Sequence, residues 1–108
     1  SQTVMFFSFA APTGSDADIL VTFRDNGGLV GRYDAHMSNT NEFPSSGDLA
    51  DWSSLAASHS TSVETMRVWH NDPRFVHGPG AQYFLAVVPY ASFNLNITVS
   101  TANVAPLL

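Results

Sequence analysis

The chain has 108 residues, of which 44% are hydrophobic and only 12% are charged, and its formal net charge is −5. Its basic residues are four arginines without a basic cluster, which argues strongly against nucleic-acid binding because phosphate needs a basic stripe to neutralise it. The absence of cysteine excludes disulfides and thiolate metal sites, and no apolar run of about 18 residues predicts a membrane span.

Turn signals divide the first two thirds of the chain into short segments rich in β-branched and aromatic residues. Four strands are predicted there: residues 3–9, 18–24, 29–36 and 62–70. The sequence Asp25-Asn26-Gly27-Gly28 favours a turn between the second and third, because Asn and Gly accept a positive φ. Residues 38–60 form a long polar stretch that allows a short helical turn near 48–57. Residues 71–81 are predicted as a loop because they contain two prolines and two glycines.

The last third of the chain gives the clearest pattern. Residues 82–90 are almost wholly apolar and aromatic, as in a central strand. From 93 to 100 apolar and polar residues alternate strictly, which indicates a strand with one buried face. A short Ala-Ser break between the two segments predicts a hairpin in which the second strand lies beside the first.

About six strands without a long helix predict one domain over residues 1–108, an all-β, single antiparallel β-sandwich of jelly-roll-like form. The apolar faces of the predicted strands supply its core. Nine side chains are expected to be mostly buried there: Val21, Phe23, Met66, Val68, Leu85, Val87, Phe93, Leu95 and Ile97.

Four short motifs follow one another in a recognisable order. They are SFAAP at 8–12, DADILV at 16–21, FPSSGDLADWSS at 43–54, and YFLAVVPY at 83–90 followed by the alternating strand. In this order, over about residues 6–100, the chain resembles the bacterial pre-peptidase C-terminal domain family and its eukaryotic extracellular relatives. The resemblance implies a compact jelly-roll-like sandwich appended to a larger secreted protein, with an accessory or adhesive role and no catalysis.

Asp16 and Asp18 are a candidate calcium site. Their spacing puts both carboxylates on one side of an extended chain, and Ca²⁺ takes hard oxygen ligands of this kind. The resemblance adds that some relatives bind Ca²⁺ in this region. The alternative is that the two carboxylates accept backbone N–H groups at a turn. No cofactor is required in either case.

The aromatic side chains Trp52, Trp69 and Tyr90 are candidates for stacking against sugar rings. The alternative is that the two tryptophans are half-buried parts of the fold. The only Asn-x-Ser/Thr sequon begins at Asn96, on the polar face of its strand, so that a glycan there would project outward.

The sequence contains no Gly-x-Ser-x-Gly motif and no order of residues that suggests a catalytic triad, so no catalytic residue is predicted. The leading hypothesis is a structural or adhesive module of an extracellular or cell-surface glycoprotein, such as the subunit of a head-to-tail filament. Both ends carry apolar segments, residues 4–9 and 104–108, which a second copy or a neighbouring domain would cover. The alternatives are a carbohydrate-binding accessory module of a secreted hydrolase and a Ca²⁺-stabilised appendage of a secreted protease.

Overall fold

The computed structural model describes residues 3–103, which form two antiparallel β-sheets. The strands of this part of the chain are β1 (Met5–Ala10), β2 (Ala17–Asp25), β3 (Tyr33–Ser38), β4 (Trp52–Ser54), β5 (Val63–Val68), β6 (Gln82–Pro89) and β7 (Leu95–Asn103). One sheet has the order β1-β6-β3-β4 and the other the order β5-β2-β7. Two single-turn 3-10 helices, Gly47–Leu49 and Ala56–Ser58, flank β4. None of the described helices is long and apolar enough to cross a membrane.

The two sheets share one core of buried side chains, which confirms the predicted all-β antiparallel sandwich. In β2 the inward residues alternate along the strand, and Ile19, Val21 and Phe23 are at most 1% exposed. Leu85 and Val87 of β6 are buried to the same degree. The jelly-roll connectivity stays a prediction, because that pattern has eight strands and the described residues supply seven.

The predicted hairpin between the last two strands is wrong. β6 is a central strand of one sheet, whereas β7 pairs with β2 in the other. The chain crosses between the sheets at residues 90–94, where the Tyr90 amide donates to Arg32 and the Asn94 carbonyl accepts from Asn26. This connection lacks the Asn-Gly or Gly-X pair that a two-residue hairpin turn requires.

Two further elements differ from the sequence prediction. The third strand begins at Tyr33 and not at Leu29, because the chain still turns at Gly31, whose φ is +71°. A Cβ at Gly31 would lie 3.2 Å from the Ala56 carbonyl oxygen, so glycine also permits a close approach there. β4 arises within the stretch predicted to be polar loop; three residues are too few to show a period-two pattern.

The two lateral sides of the sandwich differ. On one side the edge strands β4 and β5 lie against each other. On the other side the edge strands are β1 and β7. Of the nine predicted core side chains, Phe93, Leu95 and Ile97 beside that second edge are partly buried and pack against the core, and the other six are fully buried.

Replacement of Leu85 by alanine should lower the free energy of unfolding by about 2–5 kcal/mol, because it leaves a cavity in the buried core. Ile97→Ala should cost less, since that side chain is already partly hydrated. Urea denaturation of both variants measures the difference. Equal losses for the two variants would contradict the unequal burial of the two positions.

Candidate functional site

The side of the sandwich between β1 and β7 is the main candidate site. Within residues 3–103, β1 pairs only with β6 and β7 pairs only with β2. Each strand therefore has a second edge whose backbone N–H and C=O groups have no strand partner in this part of the chain. Such an edge can accept a further strand through main-chain hydrogen bonds.

Two adjoining cavities lie along this side. The first has a volume of about 420 Å³, and its lining residues include Thr3, Met5, Ser92, Phe93 and Leu95. The second, of about 320 Å³, also touches Leu95. Its other lining residues include Phe7, Phe9, Leu85, Ile97 and Val99. Because Leu95 borders both, we describe the two cavities together and call them the seam groove.

The inward side chains of the seam groove are poorly covered. Phe7 is 43% exposed and Val99 is 44% exposed, although both line the cavity together with the buried Leu85. In a closed sandwich, inward side chains of the two sheets interdigitate and exclude water. The exposure of these two residues leaves apolar surface accessible to solvent in the seam groove.

Both strands that border the seam groove lack charged residues. β1 reads MFFSFA and β7 reads LNITVSTAN. The opposite side is different, because β5 carries Glu64 and Arg67 and the Arg74 guanidinium lies 4.6 Å from the Trp52 ring of β4. Charges and prolines on edge strands normally prevent edge-to-edge association. The seam groove has neither in its two strands.

Asp18 lies in a cluster of donors instead of beside Asp16. Its buried carboxylate accepts from Arg67 at Oδ2, with Nε at 2.9 Å, and from the backbone amide and Nδ1 of His70 at Oδ1, both at 2.7 Å. The Arg67 guanidinium in turn lies 4.0 Å from the centre of the Trp69 ring. These contacts join the start of β2 to the end of β5.

The hydrogen bond from the His70 amide, assisted by the side chains of His70 and Arg67, lowers the pKa of Asp18 to about 2 against the opposing effect of burial. A calcium ion at Asp18 would compete with Arg67 for the same oxygen, and Asp16 is exposed. In the described part of the chain, no three His, Cys, Asp or Glu residues converge on a potential metal position. The calcium site stays a prediction.

The three aromatic candidates lie on different elements. Trp52 in β4 is half-buried, and Arg74 lies over its ring. Trp69 follows β5 and is exposed, but Arg67 lies over its ring. Tyr90 follows β6, is 61% exposed, and donates its hydroxyl hydrogen to the Asp34 carboxylate. Within residues 3–103 no ring contact joins any two of the three, so a shared stacking platform is not formed by direct contact.

Asn96 is exposed on β7, on the face away from the core. Its backbone partner in β2 is Arg24. A glycan at this position would extend into solvent without entering the seam groove, because the groove is lined by the alternate residues of β7.

Sequence reasoning identified the apolar strands but not the seam groove or the Asp18 cluster. Arg67 and His70 are 49 and 52 positions from Asp18, so no local motif joins them. Comparison with family models, with curated proteins and with solved structures finds no match for the chain. The resemblance to the pre-peptidase C-terminal domain family therefore rests on the four motifs alone.

The Asp18 cluster should make stability depend on acidic pH. Because an unfolded Asp titrates near 3.9 and folded Asp18 near 2, the folded state binds fewer protons between these values. The stabilisation is therefore complete above about pH 4 and is lost as the pH falls toward 2. Asp18→Asn should be less stable than the unmodified chain at pH 7, and the difference should shrink as the pH falls.

Denaturant unfolding between pH 2 and pH 7 measures this effect, with Asp16→Asn as the control at an exposed carboxylate. Some acid dependence should remain in Asp18→Asn, since Arg74 also lowers the pKa of Asp72. A stability difference between Asp18→Asn and the unmodified chain that is the same at every pH would contradict the assignment.

Proposed function

We propose that this chain is a non-catalytic structural module of an extracellular glycoprotein, and that it joins to further copies of itself through the seam groove. The observation that supports this proposal is the apolar groove between two edge strands without charged residues. Exposed apolar patches of this kind, when they border unpaired strand edges, favour association with another chain.

Strand addition is the mode of association that suits this groove. An extended segment from a neighbour would form main-chain hydrogen bonds with the free edge of β1 or β7, while its side chains cover Phe7 and Val99. If each copy accepts a segment from one neighbour and provides its own to another, and the rotation between copies closes no ring, the contact joins different surfaces and stays open. Contacts of that type propagate as a filament.

The extracellular assignment depends on composition and on Asn96. Only 12% of the residues are charged, lysine is absent, and Ser, Thr and Asn supply much of the polar surface. The exposed sequon at Asn96 leaves space for a glycan. These features suit a secreted or cell-surface protein, either as a free subunit or as one module of a longer chain.

One observation favours a second candidate function, carbohydrate binding. The exposed Tyr90 ring is anchored by its hydroxyl group to Asp34, whose other oxygen accepts from the Ala56 amide at 2.7 Å. A ring held in place in this way loses little entropy when a sugar stacks on it. Replacement of Tyr90 by alanine should then abolish retention on an oligosaccharide array without changing self-association.

A lysine in the seam groove should block self-association. Val99→Lys places a charge where an added strand would bury apolar surface, and we expect the dissociation constant between copies to rise at least ~10-fold. Ser100→Lys is the matched control, because it adds the same charge on the outward face of the same strand. Size-exclusion chromatography with light scattering measures the assembled fraction of each variant, and thermal melting confirms that both fold.

The proposal fails if the unmodified chain remains monomeric at millimolar concentration. It also fails if Val99→Lys and Ser100→Lys assemble equally well, since the seam groove would then not be the contact surface. Electron microscopy of the assembled material distinguishes filaments from closed oligomers.

In eukaryotic material, Asn96 should carry an N-linked glycan and no other asparagine should. Mass spectrometry of the peptide that contains Asn96, before and after enzymatic removal of N-glycans, tests this expectation. Thr98→Ala, which destroys the sequon on the same exposed face, is the control. An unmodified Asn96 peptide from native secreted protein would contradict the glycoprotein assignment.

A further inference from the structure

We infer that the occupant of the seam groove is the segment 104–108 (Val104-Ala-Pro-Leu-Leu108) of a neighbouring copy, inserted parallel to β1 and β7 from the end at Phe93. These residues lie outside the part of the chain that the structure describes. The inference rests on the proposed function and adds the donor, the entry point and the direction of the inserted strand.

The direction follows from the arrangement of the two strands beside the groove. Met5 and Leu95 border the first cavity, and Phe9 and Val99 border the second. β1 and β7 therefore run in the same direction along the groove, from an entry end at Phe93 to an exit end beyond Val99. β7 continues past Val99 to Asn103, whose backbone partner is Ala17. The residues that follow Asn103 thus start from the exit end.

The segment 104–108 cannot fill the entry end of the groove in its own copy. Asn103 is eight residues beyond Leu95 along an extended strand, a distance of about 27 Å. Leu108 is five residues after Asn103 and can lie at most ~18 Å from it even when fully extended. Leu107 and Leu108 therefore do not reach the first cavity, between Met5 and Leu95, of the same chain.

A second copy stacked in the same orientation removes this difficulty. Its entry end, with Thr3, Ser92 and Phe93, would face the exit end of the first copy. The segment that leaves the first copy after Asn103 would then point directly into the groove of the second. Repetition of this contact by translation along one axis makes a filament in which every copy donates once and accepts once.

The chemistry of the segment suits the groove. It contains no charged residue, and neither do the two strands that border the groove. In extended conformation Val104, Pro106 and Leu108 share one face, which would fill the cavities. Pro106 has no N–H to donate. It is therefore tolerated only in an edge strand, at a position whose backbone nitrogen points away from the neighbouring strand. Five residues span about 17 Å, close to the about 20 Å between Phe93 and Val99.

Cysteine pairs test the inserted position directly, because the chain has no cysteine of its own. In a Phe7→Cys/Leu108→Cys variant, mild oxidation of assembled protein should produce a ladder of covalent multimers on a non-reducing gel, since both positions lie in the groove of one copy. Phe6→Cys/Leu108→Cys is the matched control. Phe6 is 48% exposed, close to the 43% of Phe7, but faces outward and contacts Phe43. Leu107→Cys, combined in turn with Phe7→Cys and with Phe6→Cys, tests whether the inserted segment is shifted by one residue along the groove.

Deletion of 104–108 should leave the sandwich folded by circular dichroism and reduce the assembled fraction at least tenfold. A synthetic peptide of sequence VAPLL, added in excess, should compete with assembly of the full chain. If the truncated chain assembles as well as the full chain, or if Phe6 and Phe7 cross-link equally, the donor assignment is wrong. The proposed function can survive that result: if Val99→Lys blocks assembly, the seam groove is still the surface that joins the copies, with a different segment as its occupant. A full chain that never assembles overturns the proposed function itself.

Discussion

The two sheets are held together by a cluster of side chains from both sheets that have lost nearly all contact with water. β2 and β6 are two of the inner strands, and their core residues Ile19, Val21, Phe23, Tyr83, Leu85 and Val87 are all buried. Tyr83 is buried at no cost in hydrogen bonding, because its hydroxyl both accepts from the Val76 amide and donates to the Val76 carbonyl. The loop before β6 is thereby fixed to the core.

With β2, β3 and β6 inside the sheets, β1, β4, β5 and β7 are the edge strands, and the two lateral sides of the sandwich differ in charge. On the β4–β5 side, Arg67 joins Asp18 to Trp69, and Arg74 joins Asp72 to Trp52. Each guanidinium covers an aromatic ring that would otherwise attract apolar partners. On the other side, β1 and β7 contain no charged residue that could cover a ring in this way. The protected side thus has charged residues and a three-residue edge strand, β4, whereas the accessible side has two longer edge strands without charge.

Local pattern predicted much of the sheet content but not its connections. The alternation from Phe93 to Val99 identified β7 and its apolar face, since side-chain direction depends only on neighbours in sequence. Its partner could not be inferred in the same way. β7 pairs with β2 because the chain crosses from one sheet to the other at residues 90–94. The composition of these five residues does not distinguish such a crossing from a hairpin loop. The half-burial of Leu95 and Ile97 follows from that crossing, because β7 became an edge strand.

The candidate sites were predictable to an even smaller extent. Asp18 was singled out as an oxygen ligand because it stands near Asp16, yet its partners come from a strand and a turn about fifty positions away. The seam groove has no sequence motif at all. It is the space between two edge strands without charged residues, β1 and β7, and it is recognised only once the relative position of these strands is known.

The position of the charges also bears on how copies of this protein would meet. A net charge of −5 on each copy opposes association at long range, but at physiological ionic strength such repulsion fades over about 8 Å. The carboxylates that carry it lie outside β1 and β7, so no ionised group would have to be desolvated when the seam groove is covered. Burial of Phe7 and Val99 would then proceed without an opposing electrostatic cost at the contact itself. On the β4–β5 side, by contrast, the charged groups of Arg67 and Arg74 would have to lose water first. The arrangement thus favours the seam groove as the acceptor surface, and ordered linear growth would follow when a different part of each copy is the donor.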